Sequence, residues 1–261
     1  MSELQRKLNL SKQVVLDLTK KKGVSIDQKA LVKFCCDISG SMRNLYNRGF
    51  VQRVQERLTP IAMAFDDNSE MEQYVFHDGC IKVPEPVTIN NVEGYINKYV
   101  IPRYSFGGTN YAPAITLITN EYKNDPSIFG STTETKEEAG FLGLFKKKTT
   151  QVNITGTKAK YPAYVMFLTD GSNFDEREAE RAIIEASKYG IFWQFIGLST
   201  GDNFAFLKRL DVMSGRFIDN ANFFELTQKE LETLSDEELY GRLLGEFPDY
   251  LKLAKSKGII E

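Results

Sequence analysis

Three short segments of this chain carry oxygen donors at spacings that suit a cation. The first is Asp37-Ile38-Ser39-Gly40-Ser41, a carboxylate followed by hydroxyls at alternate positions. The second is Gly107-Gly108-Thr109-Asn110, which sets a hydroxyl on a tight glycine turn. The third is Asp170-Gly171, directly after the apolar run YVMFL at 164–168. Each segment alone reads as a turn or a helix cap, because Asp, Ser, Thr and Gly serve both purposes. Together, Asp37, Ser39, Ser41, Thr109 and Asp170 form an all-oxygen set of hydroxyls and carboxylates, the donor type that Mg2+, Mn2+ or Ca2+ takes. With only these protein donors an octahedral ion keeps an incomplete shell, which water or an outside carboxylate must fill. A site of that kind is suited to capturing an acidic side chain from a partner.

Residues so far apart meet only if one architecture gathers them. Residues 30–36 (ALVKFCC), 71–76 (MEQYVF), 164–168 and 191–198 (IFWQFIGL) read as short apolar strands, and a further strand is expected within 216–221. Residues 81–83 read as an edge hairpin partner ended by Pro84 and Pro86. Helical spacing is expected over 10–22, from Leu45 to Phe65, and over 92–101, 112–122, 175–189 and 204–210. Pro60 predicts a kink near Thr59, and Asn173 with Glu176 is spaced as a capping box. The tail 235–260 reads as two helices broken at Pro248. Alternating strands and helices call for a doubly wound, mostly parallel sheet with one antiparallel edge strand and helices on both faces. Such sheets collect ligands at the carboxyl ends of their strands, where all three oxygen-bearing segments would lie.

A chain of 261 residues fits one large α/β domain, with a core over about 28–225 and a helical extension over about 228–261. Residues 127–160 are rich in Ser, Thr, Glu and Lys without periodicity and read as a flexible insertion. Its apolar GFLGLF, followed by Lys146, Lys147 and Lys148, is too short for a stable interfacial helix and reads as a solvated loop. Lys+Arg number 33 against Asp+Glu 35, so no basic field points to nucleic acid or an anionic membrane. Cys35, Cys36 and Cys80 lack framework spacing; with no signal-type or membrane-spanning run, they favour a reducing cytoplasm. Cys35 and Cys36 read as small buried side chains, and Trp193 as core.

The five oxygen-bearing residues match, in order, the metal-ion-dependent adhesion site of von Willebrand factor A domains, a resemblance that covers about residues 28–225. It implies that Ser39 and Ser41 bind the ion directly, Thr109 directly or through water, and Asp37 and Asp170 often through water. The runs VVLDLTKKKG, FGGTNYAPAI, YVMFLTDGSNFDEREAERAI and GRLLGEFPDYLKLAKSKGII resemble the cytoplasmic A domains of the bacterial tellurium-resistance and stress-protein (TerF-like) family. The implied role is a divalent-cation-dependent protein-interaction module in a chemical-stress system. Mg2+ is the first expectation, with Ca2+ or Mn2+ as alternatives, and the expected partner presents Asp or Glu.

An enzyme is the rival reading: a metal-assisted phosphohydrolase using the same ion. His77, the single histidine, adjoins Asp78, but a sequence-adjacent pair is no triad and reads as a turn. Phosphotransferases with an aspartate nucleophile place a second carboxylate two residues on, where this chain has Ser39, and no GxxxxGKS loop occurs. Asp175, Glu176, Glu178 and Glu180 read as the solvated first turns of a helix or as a negative rim to the ion. A scaffold domain with a purely structural ion is the third reading.

Overall fold

The computed structural model describes residues 1–25, 27–139, 146–154, 156–171, 173–198 and 204–261. Its main sheet has six strands: β1 (Leu31–Asp37), β2 (Glu72–Phe76), β3 (Cys80–Lys82), β6 (Ala163–Thr169), β7 (Ile191–Leu198) and β8 (Ala221–Leu226). The order is β3-β2-β1-β6-β7-β8. Every pairing is parallel except β2 with β3. Both β6 and β7 are buried at every position, which is why they read as unbroken apolar runs rather than alternating ones. The chain moves outward from β1 to β2 on one side and to β6 on the other. The β1–β6 junction is therefore the topological switch point, where doubly wound sheets bind ligands.

One face carries α1 (Glu3–Lys21), α3 (Phe50–Phe65), α8 (Gln228–Thr233), α9 (Asp236–Leu243) and α10 (Phe247–Ser256). Phe247 of α10 packs on Phe65, Tyr164 and Phe192. The other face carries α4 (Ala112–Lys123), α6 (Glu176–Ala186) and α7 (Ala205–Val212), over Phe76, Phe167 and Phe195. Among the described residues no helix is long and apolar enough to cross a membrane.

Several local expectations are corrected. The first helix starts at Glu3 because Ser2 and Gln5 form a reciprocal capping box. The segment from Leu45 splits into α2 (Arg43–Asn47) and α3, separated by Gly49 at φ 66°, a left-handed turn that glycine adopts without steric cost. Helix α3 continues through Pro60. Residues 92–101 yield only a π-helical turn, Ile96–Val100. The last strand is Ala221–Leu226 rather than 216–221. The tail does form two helices, α9 and α10; Pro248 lies in the first turn of the second, where its missing N–H has no helical acceptor anyway, so the break falls just before it.

The segment 127–160 contains regular structure. Helix α5 (Pro126–Phe129) leads into an antiparallel ribbon of β4 (Ser131–Ala139) and β5 (Lys146–Ile154). A ribbon of polar sequence shows no alternation of apolar residues, so periodicity misses it. The apolar GFLGLF, residues 140–145, lies outside the described residues. The ribbon leaves the fold beside the amino end of β6, opposite the strand ends that face the switch point. Its base is tied down by the carboxyl-terminal residues: Ala159 N donates to Ile259 O at 2.9 Å, Glu261 N to Ala159 O at 3.0 Å, and Lys160 N to Ile128 O at 2.9 Å.

Candidate cation-binding site

Asp37 ends β1, and Asp170 follows β6 immediately. Because Cys36 pairs with Leu168, the two strand ends lie side by side. The chain after β1 stays extended long enough for Ser39 to bridge Gly107. Gly40 N donates to Gly107 O at 3.0 Å, and Gly107 N donates to Ile38 O at 3.1 Å. This draws the Gly107-Gly108-Thr109 loop onto the site. The approach is close: a Cβ on Gly107 would lie 2.8 Å from His77 Nδ1, and one on Gly108 would lie 2.2 Å from Asp78 Oδ1, so a side chain at either position would push the His77–Asp78 turn's side chains aside.

A hydrogen-bonded chain joins four of the five candidates. Asp37 Oδ1 accepts from Ser39 N at 2.7 Å. The Ser39 and Ser41 hydroxyls are 3.0 Å apart, and Ser41 Oγ donates to Asp170 Oδ1 at 3.0 Å. Thr109 reaches the cluster through its backbone, two residues beyond the Ser39–Gly107 bridge. Its carbonyl accepts from Phe174 N at 3.0 Å, which holds it to the segment after Asp170. Asp37, Ser39, Thr109 and Asp170 are buried, whereas Ser41 is exposed, so the cluster opens to solvent on the serine side.

Burial pushes the Asp37 carboxyl up to about 7, against the lowering effect of its Ser39 and Thr169 hydrogen bonds; the nearby Asp170 raises it further. No lysine or arginine among the described residues forms an ion pair with Asp37. The Asp37 carboxylate, buried with Asp170 beside it, is a negative charge that a bound cation would cancel. Among the described residues, no group of three or more His, Cys, Asp and Glu side chains could hold a metal. A cation here therefore depends on the serine and threonine oxygens, whose rotatable protons can turn their lone pairs inward.

Sequence reasoning missed the residues that support this cluster. Thr169 Oγ1 donates to Asp37 Oδ2 at 2.7 Å and lies 3.0 Å from Tyr111 OH; Tyr111 OH in turn donates to Gly171 O. Tyr46 OH donates to Asp37 O at 2.9 Å. Thr169 carried a signal, being the hydroxyl between an apolar run and Asp170; the tyrosines carried none, because aromatic residues read as core. Asp78 does sit in the expected turn, yet it also accepts from Gly108 N at 3.0 Å and so buttresses the glycine loop. The expected Asn173/Glu176 capping box is replaced. Asp175 precedes α6 and caps α4 instead, accepting from Tyr111 N at 2.9 Å and Ala112 N at 2.8 Å.

The comparisons with known proteins agree with this architecture. Residues 29–132 and 145–260 match a family model described as the von Willebrand factor A domain found in the TerF C terminus. The uncharacterized protein YcbR of Bacillus subtilis (strain 168) is 33% identical over 256 residues, 94% of this chain and 90% of that protein. Among solved structures, a von Willebrand factor type A protein from Catenulispora acidiphila aligns with a TM-score of 0.52 at 11% identity, over 84% of this chain and 43% of that one. Proximal thread matrix protein 1 from the mussel byssus aligns with a TM-score of 0.52 at 16% identity, over 84% and 49%. The chain thus spans less than half the length of these two structures, and their likeness shows the fold.

Proposed function

The chain belongs to the family of von Willebrand factor A domains found at the TerF C terminus, and on that premise we propose that it is a divalent-cation-dependent protein-interaction module of a bacterial tellurium-resistance or stress-response system. The observation that carries this reading is the continuous hydrogen-bonded chain Asp37–Ser39–Ser41–Asp170 at the switch point, closed over a buried and uncompensated carboxylate. Asp37, Ser39, Ser41, Thr109 and Asp170 would hold the ion. Mg2+ suits the all-oxygen set best, with Ca2+ or Mn2+ as alternatives. When bound, the ion supplies an open coordination position to which a partner's Asp or Glu oxygen is attracted. The chain's own part is positional: Thr169 and Tyr46 fix Asp37, while Asp78 and Asp175 fix the Thr109 loop. The proposed setting is the cytoplasm, supported by three cysteines that are all free thiols.

The test is affinity purification of the native and Asp37→Ala proteins from the host, with and without chelator. Partners retained by the native protein should be released by chelator and absent from the variant. Retention of the same partners in chelator would overturn the reading. So would phosphate-ester turnover that disappears in Asp170→Ala, which would make the chain an enzyme.

A further inference from the structure

Two exposed side chains flank the cluster, each fixed in place by the site itself. On the Ser39–Gly107 side is Arg43, which opens α2 two residues after Ser41. Its guanidinium lies 4.4 Å from the centroid of the Phe106 ring. Phe106 meets Tyr46 edge-on at 5.5 Å, and Tyr46 is the residue that hydrogen-bonds the Asp37 carbonyl. Arg43 is exposed and enters no salt bridge among the described residues. At the Thr109 loop is Phe174, whose amide is bonded to the Thr109 carbonyl. The neighbouring Asn173 side chain donates to Asp175 Oδ1 at 2.7 Å, so the backbone is held on both sides of it. The Phe174 ring is nevertheless 86% exposed.

Four acidic groups among the described residues at this end of the sheet are engaged within the chain. Arg209 pairs with Glu176 at 2.6 Å and with Glu180 at 2.8 Å. Asp175 caps α4, and Asp78 holds Gly108. Arg43 is left as a planar, stacked cation presented to solvent, the form best suited to a bidentate carboxylate. Phe174 is left as a large apolar surface on a fixed backbone, the type of residue that dominates interface energetics once covered.

Resting on the cation reading above, we propose that the partner is an acidic peptide segment with three features. One carboxylate seeks the ion, a second carboxylate on one side pairs with Arg43, and an apolar side chain on the other side packs on Phe174. A nucleic-acid strand fits less well, because Lys+Arg number 33 against Asp+Glu 35 and no basic field follows a run of phosphates.

The experiment is a peptide array in which one Asp is fixed and every flanking position is varied. It is probed with the native chain in Mg2+ and in chelator, and with the Arg43→Gln, Phe174→Ser and Asp37→Asn variants. Both rim residues are exposed, so matching thermal melts establish that their variants fold. The native chain should enrich a second Asp or Glu on one side of the fixed Asp and an apolar residue on the other. Arg43→Gln should lose the acidic preference alone, with binding about fivefold weaker. Phe174→Ser should lose the apolar preference alone, with binding about tenfold weaker. Chelator and Asp37→Asn should remove all binding. Metal-dependent binding with flat flanking preferences, or unaltered in both rim variants, overturns the rim assignment and leaves the cation reading standing. No metal-dependent binding to any peptide overturns both. Tighter binding to a single-stranded oligonucleotide probe than to the best peptide overturns the peptide assignment.

Discussion

Replacing Asp37 by Asn should stabilise the cation-free protein at neutral pH while abolishing its response to metal. The buried carboxyl titrates at about 7 rather than at the ordinary 3.8. A carboxyl with a raised pKa favours the folded state when protonated. Its contribution is complete below about pH 4, declines as pH rises, and is exhausted once pH passes about 7. A shift of about 3 units corresponds to about 4 kcal/mol, and relaxation around the charge brings the expected effect to about 2–4 kcal/mol. Asn has the same shape and can keep both contacts. Its carbonyl accepts from Ser39 N, and its amide donates to Thr169 Oγ1. The Thr169 hydroxyl then donates to Tyr111, which already donates to Gly171 O. In chelator, the native protein should lose thermal stability relative to Asp37→Asn between about pH 4 and about pH 7 and hold that deficit above it. The gap at the upper end should be roughly 5–15 °C for a chain of this size. Adding Mg2+ at that pH should raise the native melting temperature and leave the variant unchanged. If the Asn variant melts below the native protein in chelator at about pH 8, the charge argument is wrong, because the carboxylate would then be stabilising rather than strained.

Asp175→Ala removes the acceptor for two amides at the start of α4; it should cost about 1 kcal/mol in chemical denaturation and reduce the Mg2+-induced melting shift by loosening the Thr109 loop. Gly156→Ala would put a methyl carbon 1.8 Å from Phe129 O; a backbone atom cannot step aside cheaply, so a loss of about 3 kcal/mol is expected, and an unchanged melting temperature would refute the close approach. For Glu72, burial works to raise the carboxyl, but the charge and hydrogen bond of Lys33, aided by Lys82, win and hold it at about 2. Its contribution is therefore present above its ordinary 4.5 and is lost as pH falls toward 2. Glu72→Gln should accordingly flatten the acid limb of a melting-temperature profile across that window.

How much was legible in advance follows from where the information sits. Asp37, Ser39, Ser41, Thr109 and Asp170 were readable because each is a polar residue in a short loop that interrupts an apolar run, and strand ends of one sheet converge without further instruction. The sheet was readable because β6 and β7 are buried on both faces. The supporting residues were not readable. Tyr111 and Tyr46 act through a single phenolic oxygen on a ring that otherwise packs in the core, and Asp175 acts on a helix more than sixty residues earlier in the chain. The β4–β5 ribbon escaped because its sequence carries no regular alternation of apolar residues to create a period. The start of the first helix went astray because the deciding group was a cap, Ser2, that lies outside the apolar spacing.

The seal at the ribbon's base has an evolutionary and a practical consequence. Family similarity resumes at residue 145 after lapsing between 133 and 144, so the lapse begins and ends within the ribbon, beyond the point where Ile259 and Glu261 fasten onto Ala159. An insertion at that lapse would project from the pole opposite the oxygen cluster, so a change of length there is expected to leave the cluster intact. The same place would accept a grafted reporter domain, labelling the chain without touching the strand ends at the switch point.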